Sequence, residues 1–256
     1  MPHTQPMTHT PPITLRPRPP YTAFALTGLA AALTLLTALL IGRIAPGLEA
    51  TQQRLIAVLV MAAVAAITVA VTRRDLLTSG RLHPVLLVIP LLVALAPFAP
   101  GLKDIGPEAG STLIIGYLAT GIYEELWFRG LILDSLASSS LTKAALLSSG
   151  LFGLIHLTNI AFGANPAITA AQVIGAACFG TGMAALRLRG VTLWPLIIIH
   201  AITDIALQAG DITSSWRWIL MISGDIILLA FGLVLLSTTR RPTTLTATSR
   251  PKLRGQ

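Results

Sequence analysis

Eight times between residues 22 and 237 the chain runs on in mostly apolar residues for about 20 positions before a polar or basic break. The runs lie at roughly 22–42, 55–72, 84–100, 111–133, 142–160, 168–186, 191–208 and 217–237. Hydrocarbon offers peptide groups no hydrogen-bond partner, so a run of this length and character is predicted to close its own backbone bonds as a bilayer-crossing α-helix. The expected fold class is therefore all-α, a polytopic membrane helical bundle of about eight transmembrane helices. Composition closes the soluble alternative. The chain is 54% hydrophobic and 11% charged, whereas soluble domains carry about 25% charged residues.

The breaks orient the bundle. Arg16, Arg18, Arg73, Arg74, Arg81, Lys143, Arg187, Arg189, Arg240, Arg241, Arg250, Lys252 and Arg254 fall on one side of an even number of crossings. Arg43, Arg54, Lys103 and Arg217 fall on the other, and Arg129 sits within a span. Basic residues are retained on the cytoplasmic side, so both termini are expected there, in a multi-pass protein of the plasma membrane. Trp216 and Trp218 suit the opposite interface as anchors. The same reading explains the formal net charge of +8 without nucleic acid, for which no motif is present. Residues 1–20, rich in Pro and Thr, and 239–256, basic and polar, read as disordered tails around a single bundle at 21–238. The first apolar run is too long for a signal peptide and lacks a cleavage site. The third run holds Pro84, Pro90 and Pro97 and is expected to kink. One cysteine, Cys178, excludes an internal disulfide; lying among apolar residues with no His or acid in its segment, it reads as packing.

Each Asp, Lys or Arg inside a span costs about 2.5–3.5 kcal/mol on insertion scales. This chain nonetheless places Glu124, Glu125, Arg129, His156, His200, Asp204 and Asp225 there. All but Asp225 fall in the fourth, fifth and seventh runs. Glu125 and Arg129 are four apart and can pair on one helix face. Glu124 is turned about 100° from Glu125 and is free to point elsewhere. Phe152 and His156 share a face, as do His200 and Asp204. Singly, each pair suits an ordinary buried contact that pins helices together. Jointly they suit one cavity. Counted along the helices, Glu124 and His200 lie nearer the cytoplasmic side and His156 deeper. A glutamate and an imidazole can deprotonate a water, and a second His with a carboxyl partner can steady the oxyanion formed when that water attacks a carbonyl. Alternatively, Glu124, His156, His200 and Asp204 are candidate ligands for a Zn²⁺ that activates the water, although no His-Glu-x-x-His is present.

Glu124-Glu125-x-x-x-Arg129, Phe152-x-x-x-His156 and His200-x-x-x-Asp204, in this order and each on a predicted span, resemble the CAAX prenyl protease 2 and bacteriocin-processing peptidases, the CPBP or Abi family. The resemblance covers residues 111–208. It implies an intramembrane peptidase, often labelled a metallopeptidase, whose cavity faces the cytoplasm. Glu124 and His156 would activate the water, His200 with Asp204 would stabilise the oxyanion, and Glu125 and Arg129 would support the site. Eukaryotic-type members carry Asn where this chain has Asp204. An ionised carboxylate cannot donate to an oxyanion, so Asp204 is either protonated, or orients His200, or serves a metal. The implied partner is a peptide or membrane-protein substrate. Competing readings are a non-catalytic scaffold on the same fold and a proton-coupled carrier, for which no internal repeat is found. Asp225 is left either as a partner of Arg129 or as an interface residue beside Gly224.

Overall fold

The computed structural model describes residue 16 and residues 18–239; the outer parts of both expected tails lie outside the described residues. The described residues are almost wholly helical, in the order α1 (Tyr21–Ile44), α2 (Ala50–Thr72), α3 (Asp75–Thr78), α4 (Pro84–Leu95), α5 (Pro107–Glu124), α6 (Leu133–Ser135), α7 (Leu141–Ile155), α8 (Pro166–Leu188), α9 (Leu193–Ala209) and α10 (Ser214–Thr238). Three irregular helical stretches complete the order: 3-10 turns at Ala96–Phe98 and His156–Phe162, and a π-helix at Glu125–Ile132. Among the described residues there is no strand, only two isolated bridges.

Local chemistry sets the helix starts. Glu49 and Gln52 form a capping box ahead of α2. Asn165 caps α8 by accepting from Ala167 and Ile168, with Pro166 in the first turn. Ser140 and Thr213 cap α7 and α10. Pro97 tightens the end of α4 into the 3-10 turn.

Among the described residues five helical stretches are long and apolar enough to cross a membrane: Tyr21–Ile44, Ala50–Thr72, Leu141–Phe162, Pro166–Leu188 and Ser214–Thr238. Two shorter apolar ones, Pro84–Phe98 and Leu193–Ala209, stand beside them. The eighth expected span is the rod Pro107–Ser135, α5 through α6, whose middle is the π-helix. The three that fall short have visible causes: prolines in the first, brevity in the second, and the charged motif in the rod.

Contacts between connections sort into two ends. At one end Arg73 binds Asp134, Arg187 donates to Leu76 O, Ser79 O and Val191 O, Arg81 N donates to Gly190 O, and Arg189 reaches Leu235 O and Thr238. Arg16 N donates to Asp134 Oδ1 at 2.9 Å and Ser138 bonds Arg18 O. At the other end Arg54 donates to Phe162 O, and Lys103 binds Gln208 O and Ala209 O. The helices therefore alternate in direction, and both ends of the described chain lie at the basic end. There the hydrogen bonds of Arg73 beside Asp75 hold its carboxyl below the usual carboxylate range.

Candidate active site

The site begins with the π-helix. Bonds of i→i+5 type widen the turn, a feature that occurs often at functional sites, and all eight residues from Glu125 to Ile132 are buried. Around them Ser148 Oγ donates to Phe128 O at 3.0 Å and Trp127 Nε1 to Leu26 O at 3.0 Å. The rod comes against α9 at Gly121: a Cβ there would lie 2.8 Å from Ile197 O. Only a glycine permits that approach, and it brings Glu124 and Glu125 to His200.

His200 stands between the two carboxylates. Its Nδ1 is 2.8 Å from Glu125 Oε1, and its Nε2 is 3.3 Å from Glu124 Oε2 and 3.7 Å from Asp204 Oδ2. Carboxylates only accept when ionised, and an imidazole donates from both nitrogens only when protonated. The group therefore holds a proton that either His200 or a carboxyl carries. Arg129 Nη1 is 3.1 Å from Glu125 Oε1, so that one oxygen faces both the guanidinium and the imidazole.

Phe152 is the hub on the other flank. The Arg129 guanidinium lies over its ring, 4.1 Å from the centroid. His156 and His200 meet it edge-on, with centroids 5.0 and 6.0 Å away. His156 Nδ1 is 2.9 Å from Phe152 O. A carbonyl can only accept, so Nδ1 carries the hydrogen and Nε2 is the acceptor of the neutral ring. Phe179 packs on His200 with centroids 5.0 Å apart. Gly180 leaves room for Arg129 Nη2, which would lie 3.1 Å from a Cβ there.

All six sequence-selected residues thus belong to one neighbourhood. Glu124 contacts His200; neighbouring side chains on the rod straddle α9 and converge on the imidazole between them. Towards the basic end Phe128, Leu133, Met183, Leu186, Leu193 and Leu196 pack beneath the site and are buried. Asp225 does not meet Arg129: it faces Gly175, five residues along α8 from Gly180, and lines a cavity of about 30 Å³ with Thr203 and Phe179. As for Zn²⁺, no three His, Cys, Asp or Glu side chains among the described residues converge so as to hold a metal ion. His200 has a carboxylate at each nitrogen instead, an arrangement that does not fit Zn²⁺. Sequence reasoning missed Phe179 and the glycines at 121 and 180, which no local spacing distinguishes from ordinary packing residues.

Comparison with curated proteins finds no match. A family match does exist: residues 107–206 fit the model described as Type II CAAX prenyl endopeptidase Rce1-like. That segment carries all three motifs, from the start of the rod to the turn after Asp204. Over this stretch the chain is similar to the Rce1-like, CAAX-type intramembrane endopeptidases, in agreement with the resemblance carried by its three motifs.

Proposed function

We propose that the chain hydrolyses a peptide bond of a peptide or membrane-associated protein within the bilayer, with Glu124 as general base. The reading rests on one observation: an imidazole whose two nitrogens meet Glu124 and Glu125, beside a second imidazole whose Nδ1 is tied to Phe152 O. The fixed tautomer of His156 leaves Nε2 as an acceptor for a water proton. Glu124 takes the proton as the water oxygen attacks the carbonyl carbon. The C–O bond forms, the C=O pair moves to oxygen, and the resulting oxyanion accepts a hydrogen bond from His200 Nε2–H. Collapse expels the amine, which takes the proton from Glu124. Glu125 and Arg129 act through His200, fixing its ring from the Nδ1 side. Asp204 steadies the proton on Nε2, a role a carboxylate fills where Asn would donate directly.

The test is cleavage of a mixed peptide library by the purified protein in detergent, wild type beside Glu124→Gln. Cleavage lost in the variant, with its thermal unfolding unchanged, supports a peptidase; cleavage unchanged in the variant sinks it. A scaffold role predicts that Glu124→Gln keeps every cellular phenotype.

A further inference from the structure

Of the ionisable residues read as lying inside spans, Asp225 alone has no part in the proposed mechanism. It sits near the middle of α10, roughly 16 Å from the start of the helix and 20 Å from its end by the rise per residue. A carboxylate at that depth costs free energy unless something answers its charge. Among the described residues nothing does: no hydrogen bond or ion pair reaches Asp225. Its side chain is held against α8, where a Cβ on Gly175 would collide with Oδ2. The same seam is drawn tight further along, where a Cβ on Gly232 would lie 2.8 Å from Thr181 O.

The carboxylate lines the cavity of about 30 Å³ between α8, α9, α10 and the end of α4. Leu207, Leu220, Met221 and Leu228 give that cavity apolar walls. Thr203 adds a hydroxyl whose hydrogen goes to Ile199 O at 2.8 Å, so its lone pairs remain to accept. Phe179 is the partition between cavity and active site. It lines the first and packs on His200 of the second, with centroids 5.0 Å apart.

A cavity of this volume takes about one water-sized group. A primary ammonium is of that size, whereas the planar guanidinium of arginine is larger. An ammonium donates three hydrogen bonds and accepts none. The Asp225 carboxylate and Thr203 Oγ1 offer it acceptors, and the leucines suit the methylene stem behind it. An ethanolamine headgroup carries the same ammonium but stays at the membrane surface, away from the middle of α10.

We propose that the cavity is a subsite for the ammonium of a substrate lysine near the scissile bond, with Asp225 as its counter-ion. The proposal rests on the peptidase reading for the word substrate, but its test uses no cleavage.

The test is thiol modification of the purified protein in detergent, in a Cys178→Ala, Glu124→Gln background with Met221→Cys lining the cavity. Rates with 2-aminoethyl and 2-(trimethylammonium)ethyl methanethiosulfonate are each divided by the rate with free 2-mercaptoethanol. A thiol perturbed by Asp225 slows both reagents alike, so their ratio reads the fit of the cation. The primary ammonium is expected to lead by about tenfold, the factor of one hydrogen bond to a charged group. That lead should vanish in Asp225→Asn, which removes the charge, and in Gly175→Ala, which pushes the carboxylate aside. Either variant suffices if the other fails to fold. A lead unchanged in the folded variants, or a Met221→Cys that neither reagent modifies, would overturn the cation site. Pools of peptides alike but for one Lys, Arg or norleucine are then added, and only the lysine pool should slow modification. Equal protection by the arginine pool, or protection by phosphatidylethanolamine and not by the lysine pool, would overturn the lysine assignment. The Glu124→Gln cleavage comparison fails or holds independently of these rates.

Discussion

Gly121→Ala measures how tightly the two carboxylates depend on the contact between the rod and α9. The added Cβ would lie 2.8 Å from Ile197 O and 3.5 Å from Ala201 N. Ordinary carbon contacts begin at 3.4 Å, and the obstacle is helix backbone, which cannot rotate away as a side chain would. The helices must part by about 0.6 Å at this point. Glu124 lies three residues beyond Gly121 and His200 three beyond Ile197, so the opening is carried to their contact. The ion-pair separation of Glu124 Oε2 and His200 Nε2, 3.3 Å, then widens to about 3.9 Å, weakening the attraction that sets the two groups against each other. Misplacement on the 1 Å scale costs about 10²-fold in rate, so kcat/KM is expected to fall by about 10- to 10²-fold. Overpacking destabilises by about 1–3 kcal/mol, offset in part by the roughly 1 kcal/mol better helix propensity of Ala. Peptide cleavage and thermal unfolding in detergent are measured beside Gly116→Ala, where the nearest atom to a Cβ is the mobile Leu55 Cδ1 at 3.6 Å. That control should behave as wild type. Equal kcat/KM for Gly121→Ala and Gly116→Ala would refute the reasoning.

Further outcomes follow from the same contacts. Arg129→Lys keeps the charge but loses the planar group stacked on Phe152, so kcat should fall at least about tenfold with little change in KM; an unaltered kcat would show that the stack does not position Glu125. Arg73→Ala leaves Asp134 in a buried position without its guanidinium, and unfolding should come about 3–5 kcal/mol sooner, read by denaturant titration; the double variant Arg73→Leu with Asp134→Leu should regain most of it, and a double variant as weak as the single one would contradict the pairing. Because each nitrogen of His200 faces a carboxylate rather than a shared ligand point, exhaustive chelation should leave the cleavage rate within about twofold; loss on chelation that Zn²⁺ restores would show that the side chains regroup around a metal.

The apolar runs were enough to mark the helical stretches of an all-α bundle, five of them long and apolar enough to cross a membrane among the described residues, because hydrocarbon solvent leaves the backbone little choice. The Glu125–Arg129 and His200–Asp204 proximities were legible for an equally local reason, the i, i+4 geometry of a helix. What stayed hidden needs two helices at once. The π-helix begins within the Glu124-Glu125 dyad without a local mark, and it decides with its neighbours that both carboxylates meet one imidazole. Phe152 looks from sequence like a companion of His156; only the packed bundle makes it the ring on which Arg129, His156 and His200 all rest. The neighbour of Asp225 is hidden for the same reason, since Gly175 lies 50 residues away on α8.

The central claim is that Glu124 and His156 act on one water molecule, and a double-mutant cycle tests it most directly. Groups that act as a unit lose their effect together. Single Glu124→Gln and His156→Gln variants should each lower kcat by about 10²- to 10⁴-fold, and the double variant should be no slower than the slower single one. Losses that multiply in the double variant, or a single variant that cleaves at the wild-type rate, would contradict the account.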